Sequence, residues 1–261
     1  MVETPHFLVA LALGLLLGGC DARFDSDAAA ELESPCEPVM FEDTPFTHCT
    51  ANPARHTVGM DLAPEGSDAP YRSLTAFAET NPTRVIMAMN GGMYDTEGQP
   101  IGYFVEDGRR LAVLNQNEGP GNFHLLPNGV FFGEADGPWR VLDTETFAAQ
   151  ITDRPQFATQ SGPMLVIRGE LHPEIDPDGT SHKLRNAVGV DASGRAHFLI
   201  SEAPVSFGKL ARYYRDVLNV DNALFLDGSV SQLWDPANDR LDTGPPIGPL
   251  IVVRNRAEGA E

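Results

Sequence analysis

Four short polar segments interrupt the apolar runs of this chain, and each carries residue types that could do chemistry. They are Asn90-Gly91-Gly92-Met93-Tyr94, Ser161-Gly162-Pro163, Arg185-Asn186-Ala187-Val188-Gly189 and Leu226-Asp227-Gly228-Ser229-Val230-Ser231. Small or hydrogen-bonding residues at the end of a buried strand leave backbone N–H groups free to face a ligand. Asp227 is the sharpest of them, because a carboxylate closing an apolar strand suits a general base or a nucleophile. The structural alternative is an Asx-turn. Arg185, close to Lys183, one of only two lysines in the chain, has the planar fork that grips an oxyanion. His124, in Gly121-Asn122-Phe123-His124, is a candidate proton carrier whose alternative is an ordinary structural histidine.

Other catalytic patterns fit less well. Ser206-Phe207-Gly208-Lys209 has the SxxK spacing of serine acyl-transfer enzymes, but no KTG or SDN accompanies it, and no GxSxG, P-loop or HExxH occurs. Asp176-Pro177-Asp178-Gly179 starts like a calcium loop but lacks the later glutamate, so it reads as a turn.

The chain of 261 residues carries 37 Asp and Glu against 18 Lys and Arg, a formal charge of -19. Such a surface repels nucleic-acid phosphates and anionic lipid headgroups, so no nucleic-acid partner is expected; an anionic substrate still fits wherever a few arginines converge.

Phe7 to Gly19 is an apolar run too short to span a bilayer and suited to the h-region of a signal peptide. It ends in Leu17-Gly18-Gly19-Cys20, which resembles a bacterial lipobox, so residues 1–20 are expected to be a lipoprotein-type signal with Cys20 lipidated. Residues 21–38, rich in Asp, Glu, Ala and Ser, read as a flexible tether. The expected location is the cell envelope, facing the periplasm, with membrane contact through the N-terminal lipid alone. In that oxidising compartment Cys36 and Cys49 are expected to pair; metal binding is the competing idea, but neither a CxxC nor a His-x-x-x-His accompanies them.

The elements that must position these residues are mostly strands. Arg84 to Met89 is an unbroken apolar run entering the Asn90 turn. Ile101–Val105 with Leu111–Leu114, and Gly129–Phe132 with Trp139–Leu142, read as hairpins around Asp107-Gly108 and Asp136-Gly137. Met164–Ile167, Ala187–Val190, Ala196–Ile200, Ala223–Leu226 and Leu250–Val253 add strands, and Ser206–Leu218 has helical spacing behind a serine cap. Without β-α-β alternation or an internal repeat, the expectation is one α+β domain over 39–261, a mainly antiparallel or mixed sheet with few helices.

Together the stretches MNGGMY, GNFHLLPNGVFF, ATQSGPML, RNAVGV and NALFLDGSVSQLW resemble the phosphodiester glycosidase family, and look like its bacterial exported branch, over about Val85 to Val253. That resemblance implies a hydrolase cleaving the bond between a sugar's anomeric carbon and phosphate, on an envelope glycan or glycolipid. The leaving phosphomonoester is stable as an anion and needs little protonation, so one carboxylate and a phosphate cradle suffice. Asp227 would act at the anomeric carbon. Arg185, Asn186 and the N–H groups around Gly91, Gly92 and Gly228 would hold phosphate, while Asn90, Ser161, Gly162, Ser229 and Ser231 would line or orient the sugar. No cofactor is called for, with a divalent metal beside Asp95 and Glu97 as a variant. The alternative is a non-catalytic envelope lipoprotein binding a phosphorylated glycan. Asp227 separates the two, since a carboxylate beside a bound anion repels it and serves only a catalyst.

Overall fold

Apolar runs without alternation arise when a strand is covered on both faces. This chain follows that rule three times over. The structure, a computed structural model, describes residues 1–2, 33–80 and 83–257. The expected signal segment, Cys20 and most of the expected tether lie outside the described residues.

In chain order the strands are β1 (Cys36–Phe41), β2 (Thr44–Ala51), β3 (His56–Asp61), β4 (Val85–Asn90), β5 (Phe104–Glu106) and β6 (Arg109–Ala112). They continue with β7 (Gly129–Gly133), β8 (Trp139–Asp143), β9 (Phe157–Ser161), β10 (Met164–Ile167), β11 (Glu170–Leu171) and β12 (Asn186–Val190). The last are β13 (Ala196–Ser201), β14 (Asn222–Phe225), β15 (Leu233–Asp235), β16 (Arg240–Leu241) and β17 (Leu250–Asn255). Three short α-helices intervene among the described residues: α1 (Leu74–Thr80), α2 (Thr144–Gln150) and α3 (Phe207–Arg212).

The strands form a seven-stranded sheet ordered β1-β2-β13-β12-β14-β10-β11 and two five-stranded sheets, β16-β15-β4-β17-β3 and β6-β5-β9-β7-β8. Every strand pairing is antiparallel. One core is common to all three sheets, with Ile86, Phe104, Phe131, Phe157, Phe198, Leu224 and Ile251 packed together. Each sheet's other face is then covered by one helix. Leu210 and Ala211 of α3 pack on Leu199 and Phe225, Phe77 of α1 on Val85 and Val252, and Phe147 of α2 on Val130 and Phe132. Strand β17 shows the consequence: Ile251 and Val253 face the common core while Leu250 and Val252 face α1, so an alternating strand reads as a continuous apolar run.

Two expectations need correction. The tether was expected to run to Pro38, but pairing begins at Cys36, where β1 lies along β2 and the Cys36–Cys49 disulfide joins directly opposed residues. The helix expected over Ser206–Leu218 is α-helical only to Arg212 and continues as a π-helical turn over Tyr213–Val217. Gly208, whose presence weakens a helix in isolation, is required here: a Cβ would run into the Pro177 carbonyl. The same helix start disposes of the SxxK pattern. Ser206 Oγ caps α3 by accepting the Lys209 N–H at 3.1 Å, while Lys209 Nζ turns away to Glu42 O and Thr44 Oγ1, both at 2.9 Å.

Candidate active site

Antiparallel pairing brings the four polar turns to neighbouring strand ends. Asn90 ends β4, Ser161 ends β9, Asn186 begins β12, and Asp227 follows β14 by two residues. Hydrogen bonds then tie them together. Leu226 N–H donates to Asn186 O at 3.1 Å, and Ser161 Oγ donates to Leu226 O at 2.6 Å. Asp227 N–H donates to Asn186 Oδ1 at 3.0 Å, and its carbonyl accepts from Asn90 Nδ2 at 3.0 Å. Asn186 Nδ2 closes the network by donating to Asn90 O at 3.1 Å and Oδ1 at 3.0 Å, and Gln232 N–H donates to Asn90 Oδ1 at 2.9 Å. Both peptide groups flanking the Asp227 Cα are therefore held by buried amides, which fixes the direction of its side chain.

The Asp227 carboxylate is half-buried and makes no capping hydrogen bond to the 3₁₀ turn Gly228–Val230 that follows, so the Asx-turn does not form. Burial pushes its pKa up to about 6, against a smaller pull from the nearby Ser229 N–H. The turn is completed by Ser231 Oγ donating to Gly228 O at 3.2 Å. Gly228 has no room for a Cβ, which would meet Leu184 O at 2.7 Å and the Phe225 ring at 2.9 Å.

Several expected ligand contacts are instead internal supports. Gly91 N–H donates to Pro249 O at 2.7 Å and Gly92 N–H to Thr159 Oγ1 at 3.1 Å, so neither is free for phosphate. Gly92 is needed because the Gln160 carbonyl packs where a Cβ would be. Gly162 is filled in the same way by Asn128 Cβ and Phe123 O. Asn90, Ser161 and Asn186 are at most 1% exposed, so they orient Asp227 and do not touch a sugar or a phosphate. Ser229, next to Asp227 in the turn, is exposed and Ser231 is half-exposed, so these members of the expected lining set remain open to a ligand's hydroxyls.

Arg185 is also corrected. It is 1% exposed, stacked 3.6 Å from the Phe207 ring centroid, with Nε donating to Val205 O and Nη2 to Ser181 O, each at 2.9 Å. Burial lowers its pKa to about 10. Its Nε and Nη2 are committed to main-chain carbonyls, so it offers no bidentate grip to a ligand. His124 sits in a 3₁₀ turn and directs Nδ1 to Asn117 O at 2.8 Å, not to Asp227. Asp95 Oδ1 accepts the Glu97 and Gln99 N–H groups, both at 2.9 Å, which makes it a turn residue; among the described residues no group of three acidic, histidine or cysteine side chains is placed to hold a metal ion.

Sequence reasoning gave no role to two residues at the Asn90 turn. Tyr94 feels the Asp227 charge, which together with burial pushes its phenol up to about 12, and its hydroxyl donates to Pro246 O at 2.7 Å. Arg72 lies 5.6 Å from the Tyr94 ring centroid. Tyr94 was visible as the end of the Asn90 turn; Arg72 stands in a loop with no motif around it. A groove of about 1240 Å³ past Asn128, Thr144 and Arg168 is lined by none of the four polar turn segments.

The chain is an antiparallel three-sheet domain in which an aspartate is braced by two strand-end asparagines, and comparison with known proteins gives its family. It belongs to the phosphodiester glycosidase family, whose pattern matches residues 83–254. It is 37% identical over 186 residues to the uncharacterized protein YigE of Escherichia coli (strain K12), covering 71% of this chain and 72% of that one. Its fold is similar to the zebrafish N-acetylglucosamine-1-phosphodiester alpha-N-acetylglucosaminidase catalytic domain auto-inhibited by pro-peptide, with a TM-score of 0.58 and 18% identity over 85% of this chain and 82% of that one. A hypothetical protein from Synechocystis matches with a TM-score of 0.53 and 16% identity, over 85% and 61% of the two chains.

Proposed function

We propose that this protein hydrolyses sugar-1-phosphodiesters, with Asp227 as the carboxylate acting at the anomeric carbon. The observation that carries the reading is the bracing of Asp227 by Asn90 and Asn186, which positions a carboxylate of raised pKa at the end of a buried strand. In the proposed step a water oxygen attacks the anomeric carbon and Asp227 takes its proton. The bond from carbon to phosphate oxygen breaks, and its electron pair leaves on the phosphomonoester, which needs no acid to depart. That supports a chemistry with one carboxylate at the centre. The family's membership supports a phosphorylated carbohydrate or glycolipid as substrate.

Export to the envelope belongs to the same reading. It is supported by the Leu17–Cys20 lipobox in the sequence and by the Cys36–Cys49 pair, since disulfides persist in oxidising compartments. The test is a panel of sugar-1-phosphate esters and nucleotide sugars against wild type and Asp227→Asn. On any ester that wild type cleaves, turnover by the variant should fall by about two orders of magnitude or more with binding largely kept. Near-normal turnover by folded Asp227→Asn would move the chemistry to another residue, and a panel bound but never cleaved would favour a binding module.

A further inference from the structure

The connection between β16 and β17 is Asp242-Thr243-Gly244-Pro245-Pro246-Ile247-Gly248-Pro249. Surface connections are ordinarily the mobile part of a fold. This one is held from outside along its length. Leu233 N–H donates to Asp242 Oδ2 at 2.9 Å, Gln232 Nε2 to Pro245 O at 2.9 Å and the Tyr94 hydroxyl to Pro246 O at 2.7 Å. Ile247 N–H donates to Arg72 O at 3.0 Å, and Gly91 N–H to Pro249 O at 2.7 Å. Three prolines fix φ within it, and Gly248 has no room for a Cβ because the Tyr94 ring fills that space. Ile247 is buried in the core beneath α1, but residues 243–246 are exposed, so the chain is fixed where it buries nothing.

These supports lead back to the aspartate. Gln232, 3% exposed, directly follows Ser231, whose hydroxyl closes the turn on Gly228 O. From the Asp227 carbonyl a string of bonds runs through the Asn90 amide to the Gln232 backbone N–H, and through the Gln232 side chain to Pro245, at 3.0, 2.9 and 2.9 Å. Gly244 lies against the same side chain: a Cβ there would stand 3.1 Å from Gln232 Nε2. On the other flank of the connection, Gly91 is the residue after Asn90. Residues 243–246 present a hydroxyl, bare backbone and two proline rings, and no charge. Such a surface cannot neutralise a phosphate, but it matches a sugar, which offers hydroxyls at its edges and C–H groups on its faces.

We propose that residues 243–246 form the rim on which the sugar of the substrate rests, and that Gln232 is the positioning residue that keeps this rim in register with Asp227. The proposal rests on the reading of Asp227 as the carboxylate that works at the anomeric carbon. A rim fixed in advance spares the substrate the cost of ordering it, so its effect falls on substrate affinity and not on the chemical step.

Two variants disturb the rim by different routes. Gln232→Met keeps size and burial and removes the donor to Pro245 O, while its backbone N–H still meets Asn90. The double variant Pro245→Gly with Pro246→Gly leaves Gln232 and every brace of Asp227 in place and frees the exposed backbone. Near-ultraviolet circular dichroism establishes that each is folded. On an ester that wild type cleaves, both should raise KM about fivefold or more with kcat within about twofold. Calorimetric titration of the same ester into Asp227→Asn, with and without the two glycines, should show the same loss of affinity in the absence of turnover. Unchanged KM in the glycine variant would overturn the proposal. So would a loss of kcat at unchanged KM in Gln232→Met, which would put Gln232 to work on the carboxylate and not on the rim. If Gln232→Met does not fold, the glycine variant decides alone. If an ester of the panel binds but none is cleaved, the catalytic reading fails while titration of that ester still decides the rim; if none binds, the rim is overturned as well.

Discussion

Asn186 Oδ1 accepts the Asp227 backbone N–H at 3.0 Å, across 41 residues of sequence. The same amide donates through Nδ2 to Asn90, so one fully buried side chain joins β12, the end of β4 and the turn after β14. Asn186→Ala would leave the Asp227 N–H and the Asn90 oxygens short of a partner, each orphaned group costing about 1–3 kcal/mol. A lowered urea midpoint is the expected result, together with a fall in kcat that exceeds any change in KM, because the carboxylate loses its aim before the substrate loses its contacts. A variant as stable and as active as wild type would show that the brace is dispensable.

Asp227 also makes a prediction about pH. Its pKa in the folded chain is raised from 3.8 to about 6, mainly by burial. The neutral carboxyl is thus favoured by folding: the stability it brings is complete below about pH 4 and is lost as pH rises through about 6. If the ionised form is the catalyst, kcat/KM should rise with pH along a limb centred near 6. Asp227→Asn cannot ionise, so its urea midpoint should gain on that of wild type between about pH 4 and pH 7. Parallel stability curves across that range would contradict the burial of this carboxylate.

What the sequence made legible follows from local physics. The hairpins around Asp107-Gly108 and Asp136-Gly137 and the run Leu250–Val253 were readable because turn chemistry and apolar density are short-range signals. Strands β1 and β2 were not, since Cys36–Phe41 is a half-exposed edge with Pro38 in it and Thr44–Ala51 is built of threonine, histidine and cysteine with few large apolar residues. At the site, Asn90, Asn186 and Asp227 stood out by type, but their work could not be read: whether an asparagine faces a ligand or a backbone 137 residues away depends on tertiary packing. Gly91 and Gly92 looked like anion-binding donors; what they provide is the close approach of the Pro249 and Gln160 carbonyls.

Lipid anchoring is tested outside the folded body. Cys20→Ser removes the thiol that the lipobox Leu17-Gly18-Gly19-Cys20 would present for acylation, while the paired Cys36 and Cys49 are untouched. The variant should leave the membrane fraction and keep the wild-type thermal unfolding midpoint, as measured by fractionation and by melting of the released protein. Retention of Cys20→Ser in membranes would rule out a lipid at this residue as the anchor.

The last prediction concerns a buried string at the opposite end of β12 from Asn186. His48 Nε2 lies 3.0 Å from His197 Nδ1, and His197 Nε2 lies 3.0 Å from Asp191 Oδ2. Because the Asp191 carboxylate takes the Nε2–H, His197 Nδ1 is left as the acceptor and His48 Nε2 must donate to it. Adding a proton to this string means charging an imidazole that is 7% or 5% exposed. Burial, then the neighbouring His197 and Arg195 charges, lower His48 from 6.5 to about 4, and burial lowers His197 despite the pull of Asp191. Between those values the unfolded chain binds protons that the folded chain refuses, so stability should fall as pH drops from about 6.5 to about 4. His48→Gln retains a donor for His197 and removes one titrating group, so its urea midpoint should depend less steeply on pH over that range. Equal slopes for wild type and variant would mean that His48 titrates alike in the folded and unfolded chain, so that burial does not hold it neutral.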